Sequence, residues 1–164
     1  MKVIRIFSVI MLAVVLTACT ETEDQLTGEF LLGEIYADSM EPGGRYSIVL
    51  PIKWTGKNSA TITSIEIIKE NGTPVTFEED GIAYEFYGAD PLKKTGLYSD
   101  GHNIGEVKDI NGFTVKGESR IVSELKLGEV EEDEIRKAKI QFQVNGEKYK
   151  EIIEWDTFKK LNTN

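Results

Sequence analysis

The residues of this 164-residue chain with the most chemical potential gather in one stretch without clean periodicity, 88–109. It holds the only histidine, His102, with Tyr98, Ser99, Asp100 and Asn103 around it. An imidazole next to a carboxylate and an amide offers metal ligands or a proton-transfer group, and long loops on β scaffolds often carry binding function. The spacing argues against sharper forms of either. A calcium loop of the EF-hand type needs alternating oxygen ligands closing on a Glu at its twelfth position, which this segment does not supply. A triad of Ser99, Asp100 and His102 would ask neighbours on one loop for a geometry that usually takes separate elements, and no nucleophile elbow is present. Asp-Gly and His-Asn are also ordinary turn pairs. Tyr98, Asp100, His102 and Asn103 are therefore read as a ligand-contact loop, with no catalytic residue, metal or cofactor assigned. The acidic runs at 78–80 and 129–134 would suit a divalent cation or, more commonly, solvated loop tips. The chain has no Gly-rich phosphate cradle, His-Glu zinc helix or dinucleotide fingerprint.

The single cysteine, Cys19, stands where an apolar run turns abruptly acidic. Lys2 and Arg5 precede an apolar stretch over residues 6–18 that is broken only by Ser8 and Thr17. It falls short of the roughly 20 residues a spanning helix needs. It has the charged start, apolar middle and small-residue end of a secretory signal peptide. Leu16-Thr17-Ala18-Cys19 resembles the lipobox of bacterial membrane lipoproteins. That resemblance implies a diacylglycerol thioether on Cys19, cleavage just before it, and anchoring on the extracytoplasmic face of the cell membrane. Two acyl chains give stable anchoring where one is marginal. With Cys19 so used, the remainder has no thiol for a disulfide, a nucleophile or a zinc site.

The formal net charge is −9, and losing Lys2 and Arg5 with the leader makes the rest more acidic still. Such a surface repels phosphates, so no nucleic acid partner is expected. Residues 19–28, with three acids and no base, read as a flexible tether with a mean span of about 18 Å.

The elements that must position these residues show a period of two. In β-branched and aromatic runs, Tyr46, Ile48, Leu50, Ile52 and Trp54 share one strand face. Pro51, on the other parity, asks for an edge or a bulge. The apolar parity shifts between Ile62 and Ile65, which predicts a β-bulge. An Asn71-Gly72 turn is expected to return as a strand from Pro74, and further strands fall at 82–88, 112–117 and 119–127, the last two as a hairpin with Ile121, Leu125 and Leu127 inward. Asn145-Gly146 joins a strand bearing Ile140, Phe142 and Val144 to one bearing Tyr149, Ile153 and Trp155. Residues 129–139 offer only Val130, Ile135 and Ala138 for burial and read as a loop or single turn; the tail after Trp155 adds another short turn.

Seven to nine short strands between Gly, Asn and Asp turns predict an all-β fold, one antiparallel sandwich over residues 29–164. The pattern is similar to the immunoglobulin-like domains of small lipoproteins from Gram-positive bacteria. The functional expectation is a lipid-anchored binding or scaffolding module of the envelope, with the membrane and another envelope protein as partners. An envelope-polymer hydrolase working through paired carboxylates, or a small solute-binding lipoprotein, are the alternatives.

Overall fold

The computed structural model describes residues 28–36 and 40–163. The leader, Cys19 and the tether up to residue 27 lie outside them. The described residues form strands β1 (Phe30–Leu32), β2 (Arg45–Trp54), β3 (Ala60–Ile68), β4 (Ile82–Ala89), β5 (Gly96–Ser99), β6 (Lys108–Asp109), β7 (Phe113–Val115), β8 (Gly117–Leu127), β9 (Lys137–Val144) and β10 (Glu147–Glu154), with single helical turns α1 (Phe77–Asp80) and α2 (Asp156–Lys159). All strand pairs are antiparallel. One sheet has the order β1-β2-β8-β4-β6, with β5 sharing the free edge of β2 beside β1; the other has the order β10-β9-β3-β7. The chain is an all-β sandwich.

Alternation explains the core. Ile48, Leu50, Ile52 and Trp54 of β2 are buried against Ile62, Ile65, Ile67, Ala138, Ile140 and Phe142 of the facing sheet. The parity change in β3 is a bulge, a register shift between Ile62 and Ser64 that keeps both Ile62 and Ile65 inward. Pro51 O accepts from Gly33 N (2.8 Å). Since N–H and C=O of a strand residue point the same way, the donor that proline lacks would face the gap between β1 and β5. Asn145 (φ 53°) and Gly146 (φ 87°) make the left-handed turn that joins β9 to β10.

Three expectations are corrected. Residues 112–117 and 119–127 do not form a hairpin: β7 pairs with β3, and β8 lies in the other sheet between β2 and β4. Gly117, at φ 71°, is where the chain changes sheets. The segment after Pro74 returns for only one bridge, Ile68 to Pro74, and then coils into α1. Thr76 accepts from Glu79 N, Asp80 accepts from Thr76 N, and Gly81 caps the end at φ 69°, where a Cβ would stand 2.4 Å from Glu129 O. Lastly, Ile135 is 44 % exposed, whereas its neighbour Arg136 is buried.

Arg136 fastens the 129–136 loop to the chain end. Its guanidinium donates to the carbonyls of Phe158 (3.2 Å), Leu161 (3.3 Å) and Glu131 (2.8 Å), with Asp133 3.8 Å away. Burial pulls its pKa down, opposed by Asp133. The same chain end is tied to the start of the domain, where Trp155 Nε1 donates to Gly33 O (3.0 Å) and Thr157 bonds Glu34 and Ile35. Phe86, Trp155 and Phe158 pack above them, with centroids 5.0 to 6.1 Å apart. Replacing Arg136 by Met leaves three carbonyls without their donor, a loss of about 2–4 kcal/mol in urea unfolding. Ile135→Ala, at an exposed position, stays within roughly 0.5 kcal/mol of the parent.

Candidate functional site

The predicted contact loop is a cover before it is anything else. Val49, Ala89 and Val122 point out of the six-stranded sheet, away from the main core, yet all three are buried. Tyr87, Tyr98, Ile104 and Val107 close over them. The alternation that puts Ile48 and Ile121 inside puts Val49 and Val122 outside, so the chain between β4 and β6 folds back across that face. Several bonds hold it. Lys93 Nζ donates to Ile104 O, Tyr98 OH to Lys94 O (3.0 Å) and Arg120 Nε to Lys93 O (3.2 Å), while at its root the buried Ser119 Oγ of β8 donates to Ala89 O at the end of β4 (3.1 Å).

At the tip of this cover is a polar cleft of about 210 Å³, lined in part by Arg45, Ser47, Ser99, Asp100, His102 and Glu124. Asp100 N donates to Arg45 O (3.1 Å), which seats the tip on the start of β2. The Tyr98 and His102 rings stand side by side, 5.7 Å apart. Thus Asp100 and His102 line the cleft and Tyr98 flanks it. Asn103 instead closes its own turn, its Oδ1 accepting from Gly105 N (2.8 Å). Arg45, Ser47 and Glu124 were missed by the sequence reading. Their signal was present, since they occupy outward positions of β2 and β8 and are brought side by side by the Ser47–Glu124 register. The bond between Ser99 and His102 runs through the backbone (3.3 Å), so a serine–histidine relay is not assembled. The cleft is smaller than the roughly 300–1,000 Å³ of small-molecule pockets. A cleft of that size has room for about one polar side chain.

The two acidic runs, far apart in sequence, face a single open cleft of about 660 Å³, with Arg136 in its wall. Much of the acid is already engaged. Lys69 pairs with Glu79 (2.6 Å) and Asp80 (3.1 Å), and those bonds hold its pKa above the usual value. Glu132 accepts from Asn162 (2.9 Å). Among the described residues no group of three or more His, Cys, Asp or Glu is arranged to hold a metal ion.

A third depression, about 400 Å³, opens between the sheets along β3 and β4, with Ile65, Tyr84, Phe86 and Ile110 in its lining. Tyr84 bridges the sheets, its hydroxyl accepting from Ile67 N (3.1 Å) and donating to Ile67 O (3.2 Å). Tyr87, on the outward parity of β4, has its pKa pushed up to about 12, first by its hydrogen bond to Glu85 and then by burial and the neighbouring carboxylates Glu85, Glu124 and Asp109.

Since the loop is a cover, Ile104→Ala should cost roughly 1–2 kcal/mol by chemical denaturation, less than a fully buried isoleucine. His102→Ala and Asp100→Asn should leave stability nearly unchanged. The folded protein favours neutral Tyr87, so its stabilising effect is complete below the ordinary value of 10.0 and is lost as pH rises through about 12. Burial also raises the pKa of Tyr84, so ultraviolet titration of Tyr87→Phe should lose part of the late-ionising tyrosine absorbance, and in Glu85→Gln that part should ionise earlier.

Protein-family models and curated proteins were both compared with this chain, and neither gives a significant match. Its function is therefore read from its own residues and their geometry.

Proposed function

We propose that the protein is a lipid-anchored binding module of a bacterial envelope, held by a diacylglycerol on Cys19 and presenting an immunoglobulin-like sandwich to another envelope protein. The observation that carries this reading is the position of the polar and acidic clefts relative to the tether. The chain enters the sandwich at β1, where Phe30 pairs with Trp54 at the last residue of β2. Its ring packs on Trp54 and Phe142, with centroids 4.9 and 5.0 Å away. The polar cleft lies at the opposite end, against Arg45, the first residue of β2. The acidic cleft lies just beyond, where Gly81 and Gly128 adjoin the Ile82–Leu127 pair. Nine steps of strand separate the two ends, roughly 30 Å at about 3.3 Å each.

An anchor at one end leaves the other free to meet a partner beyond the headgroups. The tether's Glu21, Glu23 and Asp24 favour that posture, because they are repelled by anionic lipid. Stable retention follows from two acyl chains, each buried methylene adding about 0.8 kcal/mol.

The test is the intact mass of the protein from membranes, beside that of Cys19→Ser. The expected mass corresponds to a chain beginning at Cys19 with a diacylglycerol attached, and the variant should leave the membrane fraction without that mass. An uncleaved, unmodified chain from membranes would overturn the anchored reading.

A further inference from the structure

β10 is the end strand of the four-stranded sheet, with no strand beyond it among the described residues. At eight residues it is much longer than the other strands at sheet edges, β1, β5, β6 and β7, which have two to four. The Asn145-Gly146 turn makes Val144 and Glu147 a hydrogen-bonded pair. Alternate residues from there on bond β9, so Lys148, Lys150, Ile152 and Glu154 turn their N–H and C=O groups to the open edge. Their side chains face solvent, and Ile152 is 51 % exposed on a strand whose other exposed residues are all charged.

Open edges are commonly defended by charge, and Lys148, Lys150 and the inward-facing Glu151 serve that purpose against an arbitrary apolar strand. Glu151 is satisfied within its own chain by Phe30 N (3.1 Å). Against an identical strand the charges instead match. With antiparallel strands centred on Ile152, that residue meets Ile152 of a second copy, Lys150 meets Glu154 and Glu154 meets Lys150. Centring on Lys150 would set lysine on lysine, and centring on Glu151 would set glutamate on glutamate, so the charges favour the Ile152 register over both. Glu154 accepts from Lys159 (2.7 Å) and lies 3.7 Å from Lys137, which together hold its carboxylate below the usual pKa, yet its side chain remains 67 % exposed and open to a further cation.

We infer that β10 is a self-recognition edge, through which two copies of this chain join antiparallel about a two-fold axis at Ile152 and merge their four-stranded sheets into one. Each copy supplies the backbone donors and acceptors that the other leaves open, and the paired isoleucines lie between two lysine–glutamate pairs.

The experiment uses the full chain in non-ionic detergent with Cys19→Ser, so that an introduced cysteine is the only thiol. With Ile152→Cys the paired Cα atoms stand about 5.5 Å apart, within disulfide range, and mild oxidation should give a covalent dimer. With Lys150→Cys the two thiols are four residues out of register, roughly 13 Å apart, and should not bridge. By sedimentation equilibrium, Lys150→Glu or Glu154→Lys alone should weaken the dimer about tenfold, and the double exchange should restore it. These positions are solvent-facing, and matching circular dichroism will verify that each variant is folded. A chain that stays monomeric at every concentration, bridging through position 150 in preference to 152, or failure of the double exchange to rescue association would each overturn the proposal.

Discussion

Strands β2, β8 and β4 carry apolar side chains on both faces, and a sheet with two apolar faces needs two covers. The inner face, with Ile48, Leu50, Ile121 and Phe86, is covered by the second sheet. The outer face, with Val49, Val122 and Ala89, meets no third layer among the described residues, and the long connection from β4 to β6 is drawn across it. Each valine shielded this way is worth about 1.5–3 kcal/mol, enough to order a connection that would otherwise stay open. The position of Tyr98, the depth of the polar cleft and the closeness of Asp100 to Arg45 all follow from that demand.

The ends of the sandwich are secured differently. Near the tether, Phe30, Trp54 and Phe142 form an aromatic group, and Trp54 Nε1 donates to Asn58 O (2.6 Å). At the other end the cover is polar at its rim. Arg136 gathers carbonyls from two segments, and Trp155 spans from the chain end to Gly33. A guanidinium suits this place because its fork of donors satisfies several carbonyls that turn inward as α2 ends. The acidic runs at this end project outward partly because their backbone is what the arginine and Gly81 hold down.

This construction bears on function through rigidity and placement. The polar cleft is floored by strands and roofed by a loop that Arg120 and the Arg45 carbonyl seat on the sheet. The proposed tether would enter at the opposite end and leave that cleft exposed, and the long edge of β10 runs along the flank between the two ends. The two proposals, a partner met at the tip and a second copy paired along the flank, therefore use separate surfaces.

The strand pattern, the bulge after Ile62, the Asn145-Gly146 hairpin and the inward faces of β2 and β10 were legible in the sequence, because alternation and turn residues act over neighbouring positions. The loop at 88–109 was also recognisable as special, and Asp100 and His102 do line a cleft. What lies beneath that loop was not legible: whether Val49 and Val122 are exposed or covered depends on a segment some 50 residues from one of them and 20 from the other. The crossing of the chain at Gly117 and the choice of Arg136 over Ile135 for burial depend likewise on partners remote in sequence. By itself the sequence determined which residues alternate and where the chain turns, since those are properties of adjacent residues. Only the tertiary structure decided which sheet each strand joins, which face each loop covers and which charges share a cleft, since those follow from packing between distant segments that compete for the same apolar surface.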